Sequence, residues 1–181
     1  MNRILIIHPA DPSTDFLKEI YKDIKYEKLI TDCDSAQLYD ELAKPYDTVI
    51  ILGHGTELGL YDKINHCYVI TPGHAMFLRD KFVIGIWCNA NIYFERFNIP
   101  NSFYTGMFIS EIDEAIEYNM FLNKEKTQQH INESSALFAQ LMHDALVEDN
   151  PTANSVKNKI YNEYKNDNPI VIANREFMGI E

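Results

Sequence analysis

Short, continuous apolar runs constrain the fold of this chain more than any other feature. Three of them lie at Ile4–Ile7, Thr48–Leu52 and 82–87. Runs that are this short and uniformly apolar are typical of strands buried on both faces, as in a parallel sheet. Apolar residues at helical spacing between the runs supply the crossovers that parallel strands need. The sequence therefore predicts an α/β fold, a three-layer sandwich with a mostly parallel central sheet.

The remaining patterns predict the other elements. Helices are expected over 14–24, from Asp34 or Ser35 to residue 44, and over 74–80, 92–97, 111–120, 134–146 and 156–164. Further strands are expected at 28–31, 102–109 and 170–173, with a small hairpin of 58–61 against 67–70. No internal repeat, low-complexity segment or linker divides the chain, which predicts one domain over residues 1–181.

Reactive side chains follow two of the apolar runs. His54, between two glycines, follows Thr48–Leu52, and Cys88 follows 82–87. If these runs are neighbouring parallel strands, their carboxyl ends meet at the edge where open α/β sheets place their sites. An imidazole beside a thiol forms a base and a nucleophile. The sequence therefore predicts His54 as general base and Cys88 as nucleophile, with the backbone N–H groups of Gly55 and Cys88 as oxyanion donors.

This arrangement resembles the caspase-like (clan CD) superfamily of cysteine peptidases, and within it the bacterial CHAT-domain proteases. The resemblance covers roughly positions 47–146, and the segments that carry it are 49–55, 58–62, 75–88, 102–115 and 134–146. It implies a caspase-like fold and peptide-bond hydrolysis by His54 and Cys88, without a metal or another cofactor. The chain departs from the family at Trp87, where a small residue usually precedes the cysteine, and no glycine follows soon after Cys88.

Other interpretations of these residues stay open at this point. A flavodoxin-like sheet carrying a small-molecule hydrolase or transferase is an alternative, and so is a catalytically silent binding or assembly module on the caspase-like fold. Glu57, Trp87 and Asp113 are candidate substrate-binding residues. Their alternatives are a solvated loop acid for Glu57, a packing residue for Trp87 and a helix-capping acid for Asp113.

Composition limits the partners and the compartment. The 27 acidic and 16 basic residues give a net charge of -11, which argues against a nucleic-acid partner because phosphate binding needs a basic face. No apolar run is long enough to span a bilayer. The three cysteines show no metal-type spacing, and Cys33 and Cys67 are expected to be partly buried free thiols. The sequence thus predicts a cytoplasmic protein with no membrane partner, the resemblance implies a peptide or protein substrate, and the oligomeric state stays open.

Overall fold

A computed structural model describes residues 3–32 and 35–179 and gives the bounds of each element. Two 3-10 helical segments, Pro12–Tyr21 and Pro72–Phe77, accompany the strands and α-helices. In chain order the strands and α-helices are β1 (Ile4–Ile7), β2 (Lys28–Ile30), α1 (Ser35–Leu42), β3 (Thr48–Leu52), β4 (His54–Thr56), β5 (Gly59–Asp62), β6 (Cys67–Tyr68), β7 (Phe82–Ile86), α2 (Ala90–Arg96), β8 (Ser102–Tyr104), α3 (Ile112–Glu117), α4 (Lys124–Leu146), α5 (Ala153–Glu163) and α6 (Pro169–Phe177).

The central sheet has five strands in the order β2-β1-β3-β7-β8, and all its neighbours are parallel. Ile6 of β1 is paired with Ile50 of β3, and Ile50 is paired in turn with Ile84 of β7. Helices cover both faces, which confirms the predicted α/β three-layer sandwich. Numbered within this sheet alone, the strand order is 2-1-3-4-5, one of the two common doubly wound orders.

Each face of the sheet packs against its own hydrophobic core. Ile50, Leu52, Ile84 and Ile86 point to the side covered by Pro12–Tyr21, α4 and α5. Alternate residues of the same strands, among them Val49, Ile51 and Val83, point to the side covered by α1 and α2. Side chains alternate between the two faces of a strand, so a strand covered on both faces is apolar at every position. This double burial explains the continuous apolar runs of the sequence.

A second, antiparallel sheet lies beyond the end of β3. The predicted hairpin is confirmed as β5 and β6, and β4 adds a third strand that the sequence interpretation did not expect. His54 lies in β4, paired with Tyr61 of β5. The histidine is therefore fixed within a strand and is not part of a loose turn.

The strand predicted at 170–173 is wrong, because these residues belong to the helix α6. The Asn168 side chain caps this helix by accepting a hydrogen bond of 2.9 Å from the backbone N–H of Ile170. Pro169 occupies the first turn, where its missing N–H costs nothing. Ile170, Val171 and Asn174 are buried, so the apolar run reflects one buried helix face.

Other predicted elements differ in type or length. The helix expected over 14–24 is the 3-10 segment Pro12–Tyr21, and the strand expected over 102–109 is only Ser102–Tyr104. The helix expected over 134–146 begins earlier, at Lys124, as α4. None of the helices formed by the described residues combines the length and apolar character needed to cross a membrane.

Candidate active site

The register of the central sheet brings the two predicted reactive residues to one edge. Leu52, the last residue of β3, is paired with Ile86, the last residue of β7. His54 and Cys88 each stand two residues beyond this pair in the sequence. Gly53 turns the chain from β3 into β4 with a φ of 142°, a conformation that side-chain-bearing residues rarely adopt. The Gly53 N–H still donates to the Ile86 carbonyl at 3.0 Å.

The His54 ring contacts a hydroxyl and a carboxylate from the segment after β1. Its Nε2 lies 2.7 Å from the Ser13 Oγ and 3.6 Å from the Asp11 Oδ2. The Ser13 hydroxyl in turn donates to the Asp11 Oδ1 at 2.8 Å. These three side chains form a connected cluster, which we call the His54 cluster, and the ring is largely buried, with 16% of the His54 side chain exposed.

Asp11 is also the N-cap of the segment Pro12–Tyr21, where its Oδ1 accepts the backbone N–H of Ser13 at 2.9 Å. Burial opposes ionisation of this carboxyl group. The two hydrogen bonds from Ser13 and the charges of His54 and Lys63 together outweigh that effect and hold the pKa of Asp11 below its ordinary value. The cluster therefore contains an ionised carboxylate at neutral pH.

Cys88 is partly buried directly after β7, and its thiol faces hydrogen-bond acceptors. The Sγ lies 3.7 Å from the Glu114 Oε1 and 3.7 Å from the carbonyl oxygen of Phe108. Burial raises the pKa of the thiol, and the negative charge of Glu114 raises it further, to about 12. In this arrangement the thiol keeps its proton at neutral pH.

Glu114 is held in place by the backbone at the start of α3. Its Oε2 accepts the N–H groups of Ser110 at 2.7 Å and of Glu111 at 2.9 Å. This reciprocal contact at the third residue of the helix belongs to a capping box. One oxygen of Glu114 therefore anchors the helix start while the other contacts the thiol.

No hydrogen bond joins the Cys88 thiol to the His54 ring among the described residues. His54 contacts Ser13, and Cys88 contacts the backbone of Phe108. The ring of Phe108 stacks on that of Phe16, with centroids 6.2 Å apart, so the segments that hold the two groups touch. The structure brings His54 and Cys88 to one edge of the sheet, and the described residues show no hydrogen bond between them.

The two proposed oxyanion donors occupy different environments. Across residues 35–179 and 3–32, the Cys88 N–H donates no hydrogen bond, whereas the next N–H, that of Asn89, donates to the Gly106 carbonyl at 3.1 Å. Gly55 lies in β4 opposite Leu60. A Cβ atom at position 55 would come within 2.1 Å of the Trp87 ring, so the glycine is required by the packing of that indole.

The three candidate substrate-binding residues differ in burial and in contacts. Trp87 is 1% exposed and packs against Tyr93 and Phe94, and its Nε1 donates to the Thr56 carbonyl at 3.1 Å. This position agrees with the packing alternative. Glu57 is half-buried in the turn between β4 and β5, and Asp113 is exposed in the first turn of α3.

An open groove, which we call the Lys63 groove, is lined by residues that hold the His54 ring and the Glu114 carboxylate, whereas His54 and Cys88 themselves do not line it. Ser13 and Phe16 line one wall, and Ser110, Glu111 and Asp113 line the other. Lys63 lies in the groove and forms an ion pair of 3.0 Å with Glu111. The walls are thus made by residues that hold the His54 ring and the Glu114 carboxylate.

The other cysteines do not join this site. Cys67 is an exposed free thiol, so the expectation that it is partly buried is wrong. Its position at the start of the short edge strand β6 accounts for the exposure. Cys33 and the predicted cap at Asp34 lie outside the described residues. The described part of the chain contains no group of three or more His, Cys, Asp or Glu side chains that could hold a metal ion.

Sequence reasoning missed the partners of both reactive residues. It gave Asp11, Ser13 and Glu114 no part in the site. A signal for Asp11 and Ser13 was present, because β1 neighbours β3 and polar residues that follow β1 lie at the same edge as those that follow β3. Glu114 arrives from a helix distant in sequence, and no spacing rule connects it to Cys88.

Fold and site together define an α/β protein with a largely buried imidazole and a partly buried thiol at one sheet edge. No family model matches the chain, and no curated protein matches it significantly.

Proposed function

We propose that the protein is a small caspase-like cysteine endopeptidase in which His54 is the general base and Cys88 the nucleophile. The observation that carries this proposal is the pairing of Leu52 with Ile86, because it sets both reactive residues two positions beyond neighbouring strand ends. Sites in open α/β sheets lie at this edge. The free Cys88 N–H adds a donor where an oxyanion would form.

The proposed reaction proceeds in two halves. His54 removes the thiol proton, the sulfur forms a bond to the scissile carbonyl carbon, and the Cys88 N–H stabilises the resulting oxyanion. The C–N bond then breaks and the amine leaves with the proton that His54 held. In the second half His54 takes a proton from water, the hydroxide attacks the thioester, and the carboxylate product leaves as the thiol is restored.

We interpret the position of the Cys88 thiol as a resting arrangement for this proposed chemistry. The thiol is protonated and faces Glu114, so catalysis requires the Cys88 side chain or α3 to move and free the sulfur. A peptide in the Lys63 groove would contact Ser13, which holds the His54 ring, and Glu111, whose N–H holds Glu114. The free thiol of Cys67 and the partly buried thiol of Cys88 support a reducing, cytoplasmic location.

Peptide cleavage by matched variants tests the proposal. Wild type and Glu114→Gln are incubated with a library of fluorogenic peptides, alongside Cys88→Ala and the control Cys67→Ala, which removes an exposed thiol. We expect Glu114→Gln to cleave peptides. Adding Cys88→Ala to this variant should abolish cleavage, and adding Cys67→Ala should leave it intact. Cleavage that survives Cys88→Ala overturns the proposal, and so does the absence of cleavage by both wild type and Glu114→Gln.

One observation favours a second candidate, a catalytically silent binding or assembly module on the same fold. The contact of Cys88 with Glu114, and the raised pKa of the thiol, suit a structural cysteine as well as a resting nucleophile. This candidate requires that a thiol electrophile react with Cys88 at the same rate in Glu114→Gln and in Glu114→Gln with His54→Ala added. Slower labelling of Cys88 when His54 is removed counts against it.

A further inference from the structure

We propose that Ser13 and Asp11 are positioning residues for His54, which hold its ring in one orientation and one tautomer with the proton-accepting lone pair on Nδ1. The inference rests on the proposed function of His54 as base and adds to it. It identifies which ring nitrogen receives the thiol proton and which residues direct that choice. Neither residue contacts the scissile bond in this scheme, so both act through the imidazole.

The tautomer follows from counting hydrogens in the His54 cluster. A serine hydroxyl has one hydrogen, and an ionised carboxylate has none. The Ser13 Oγ donates its hydrogen to the Asp11 Oδ1 at 2.8 Å, so at 2.7 Å from the ring it accepts the hydrogen of His54 Nε2. Nε2 is then the protonated nitrogen and Nδ1 holds the lone pair. Nδ1 has no hydrogen-bond partner among the described residues, so it is open to a proton donor.

The carboxylate also prepares the cluster for the charged ring. When Nδ1 accepts a proton, the imidazolium formed lies with its Nε2 3.6 Å from the Asp11 Oδ2. Asp11 is held as an ion by the hydroxyl and N–H of Ser13, with Lys63 as a further positive charge nearby and Asp62 as a negative one. Stabilising a charge that appears only during the reaction accelerates the chemical step without tightening substrate binding.

Ser13 itself is poorly arranged to be a nucleophile. Its hydroxyl hydrogen is directed to a carboxylate and not to the imidazole lone pair. Its own N–H and the next are also occupied, because Ser13 N–H donates to Asp11 Oδ1 at 2.9 Å and Thr14 N–H to the Asp11 carbonyl at 3.0 Å. Neither of these two groups is available to an oxyanion, so the cluster supports a base and not a second nucleophile.

The place of the cluster in the fold supports the same conclusion. Asp11 and Ser13 follow β1 while His54 follows β3, and the strand order reverses between these two strands. The crevice at such a reversal is where doubly wound sheets bind their ligands. The connection after β1 is therefore well placed to act on a ring that projects from the end of β3.

Nitrogen-15 NMR of the imidazole tests the inference without requiring turnover. The measurements are the tautomer of the neutral His54 ring and the solvent exchange rate of its nitrogen-bound proton. They are made in wild type, Ser13→Ala, Ser13→Thr and Asp11→Asn. Threonine retains the hydroxyl, and asparagine retains the helix cap while it removes the charge. Peptide turnover is measured on the same variants in the Glu114→Gln background.

We expect the proton on Nε2 in wild type, with exchange about tenfold faster in Ser13→Ala and near wild-type exchange in Ser13→Thr. Ser13→Ala is expected to lower kcat about tenfold with KM unchanged, and Ser13→Thr to restore it. A proton on Nδ1 in wild type, or equal exchange in wild type and Ser13→Ala, overturns the positioning role. If the tautomer is confirmed but the protein cleaves no peptide, the positioning of His54 by Ser13 and Asp11 stands and the proposed peptidase function is rejected.

Discussion

The contact between Cys88 and Glu114 gives the sharpest quantitative prediction. The pKa of the thiol is raised from 9.0 to about 12, first by burial and then by the Glu114 charge. At pH 8 a thiol with a pKa of about 12 is thiolate in roughly one molecule in 10⁴, against roughly one in ten at the ordinary value. Alkylation proceeds through the thiolate, so Cys88 is expected to react roughly a thousandfold more slowly than an unperturbed thiol.

Glu114→Gln removes the charge but retains an acceptor for the capping box, because glutamine serves at this helix position. Coulomb's law gives about 4 kcal/mol for unit charges about 4 Å apart at an effective dielectric constant of about 20, and solvent screening at this partly buried site reduces it to about 2 kcal/mol. This corresponds to roughly thirtyfold faster alkylation at pH 8. Burial persists in the variant, so its thiol is expected to titrate above 9.0.

The assay is the rate of iodoacetamide alkylation between pH 7 and 11, measured in a background where serine replaces Cys33 and Cys67. Glu117→Gln is the matched control, because it removes an exposed acid from the same helix without contacting the thiol. Equal rates in Glu114→Gln and Glu117→Gln would refute the reasoning. A wild-type thiol that titrates near 9.0 would refute it as well.

Three further predictions concern the stability of the fold. Burial lowers the pKa of His8 to about 4, whereas the unfolded chain binds the proton near pH 6.5. About 3 kcal/mol of the free energy of unfolding is therefore lost as pH falls from 6.5 to about 4. Urea unfolding should show this loss in wild type and not in His8→Gln. Gly55→Ala brings a methyl group within 2.1 Å of Trp87 and should cost about 3 kcal/mol. In the control Gly73→Ala the added methyl group meets the hydroxyl and ring of Tyr39, a side chain that is 40% exposed and free to shift, so an equal loss there would contradict the clash. Burial opposes ionisation of Glu41, but hydrogen bonds from two lysines and a tyrosine lower its pKa to about 2. Glu41→Gln should therefore cost about 2 kcal/mol at pH 7 and nothing below pH 2, as measured by chemical denaturation.

The sequence predicts the central sheet well because strands that are buried on both faces form continuous apolar runs. Ile4–Ile7 and Thr48–Leu52 are strands with the predicted bounds, since a strand covered on both faces must be apolar throughout. The same signal fails at 170–173, where one buried face of α6 produces a run of similar appearance. The cap at Asn168 and the following Pro169 were the local signs of a helix start.

The candidate site is only half predictable from sequence. A reactive residue just beyond an apolar run can be located, and the pairing of Leu52 with Ile86 places His54 and Cys88 at one edge as expected. The direction of each side chain depends on partners that arrive from elsewhere in the chain. Ser13 turns to the imidazole, and Glu114 turns to the thiol, through tertiary packing that no local pattern records.

The most direct test of the account is whether the reactivity of Cys88 depends on His54. The rate of Cys88 alkylation by a peptidyl chloromethyl ketone at pH 7 is compared in Glu114→Gln alone and with His54→Ala added. His66→Asn is the control histidine variant, since asparagine tolerates the positive φ of that residue. A base acting on the thiol predicts a loss of at least about a hundredfold with His54→Ala and none with His66→Asn. Equal rates in all three proteins would contradict the pairing of His54 with Cys88.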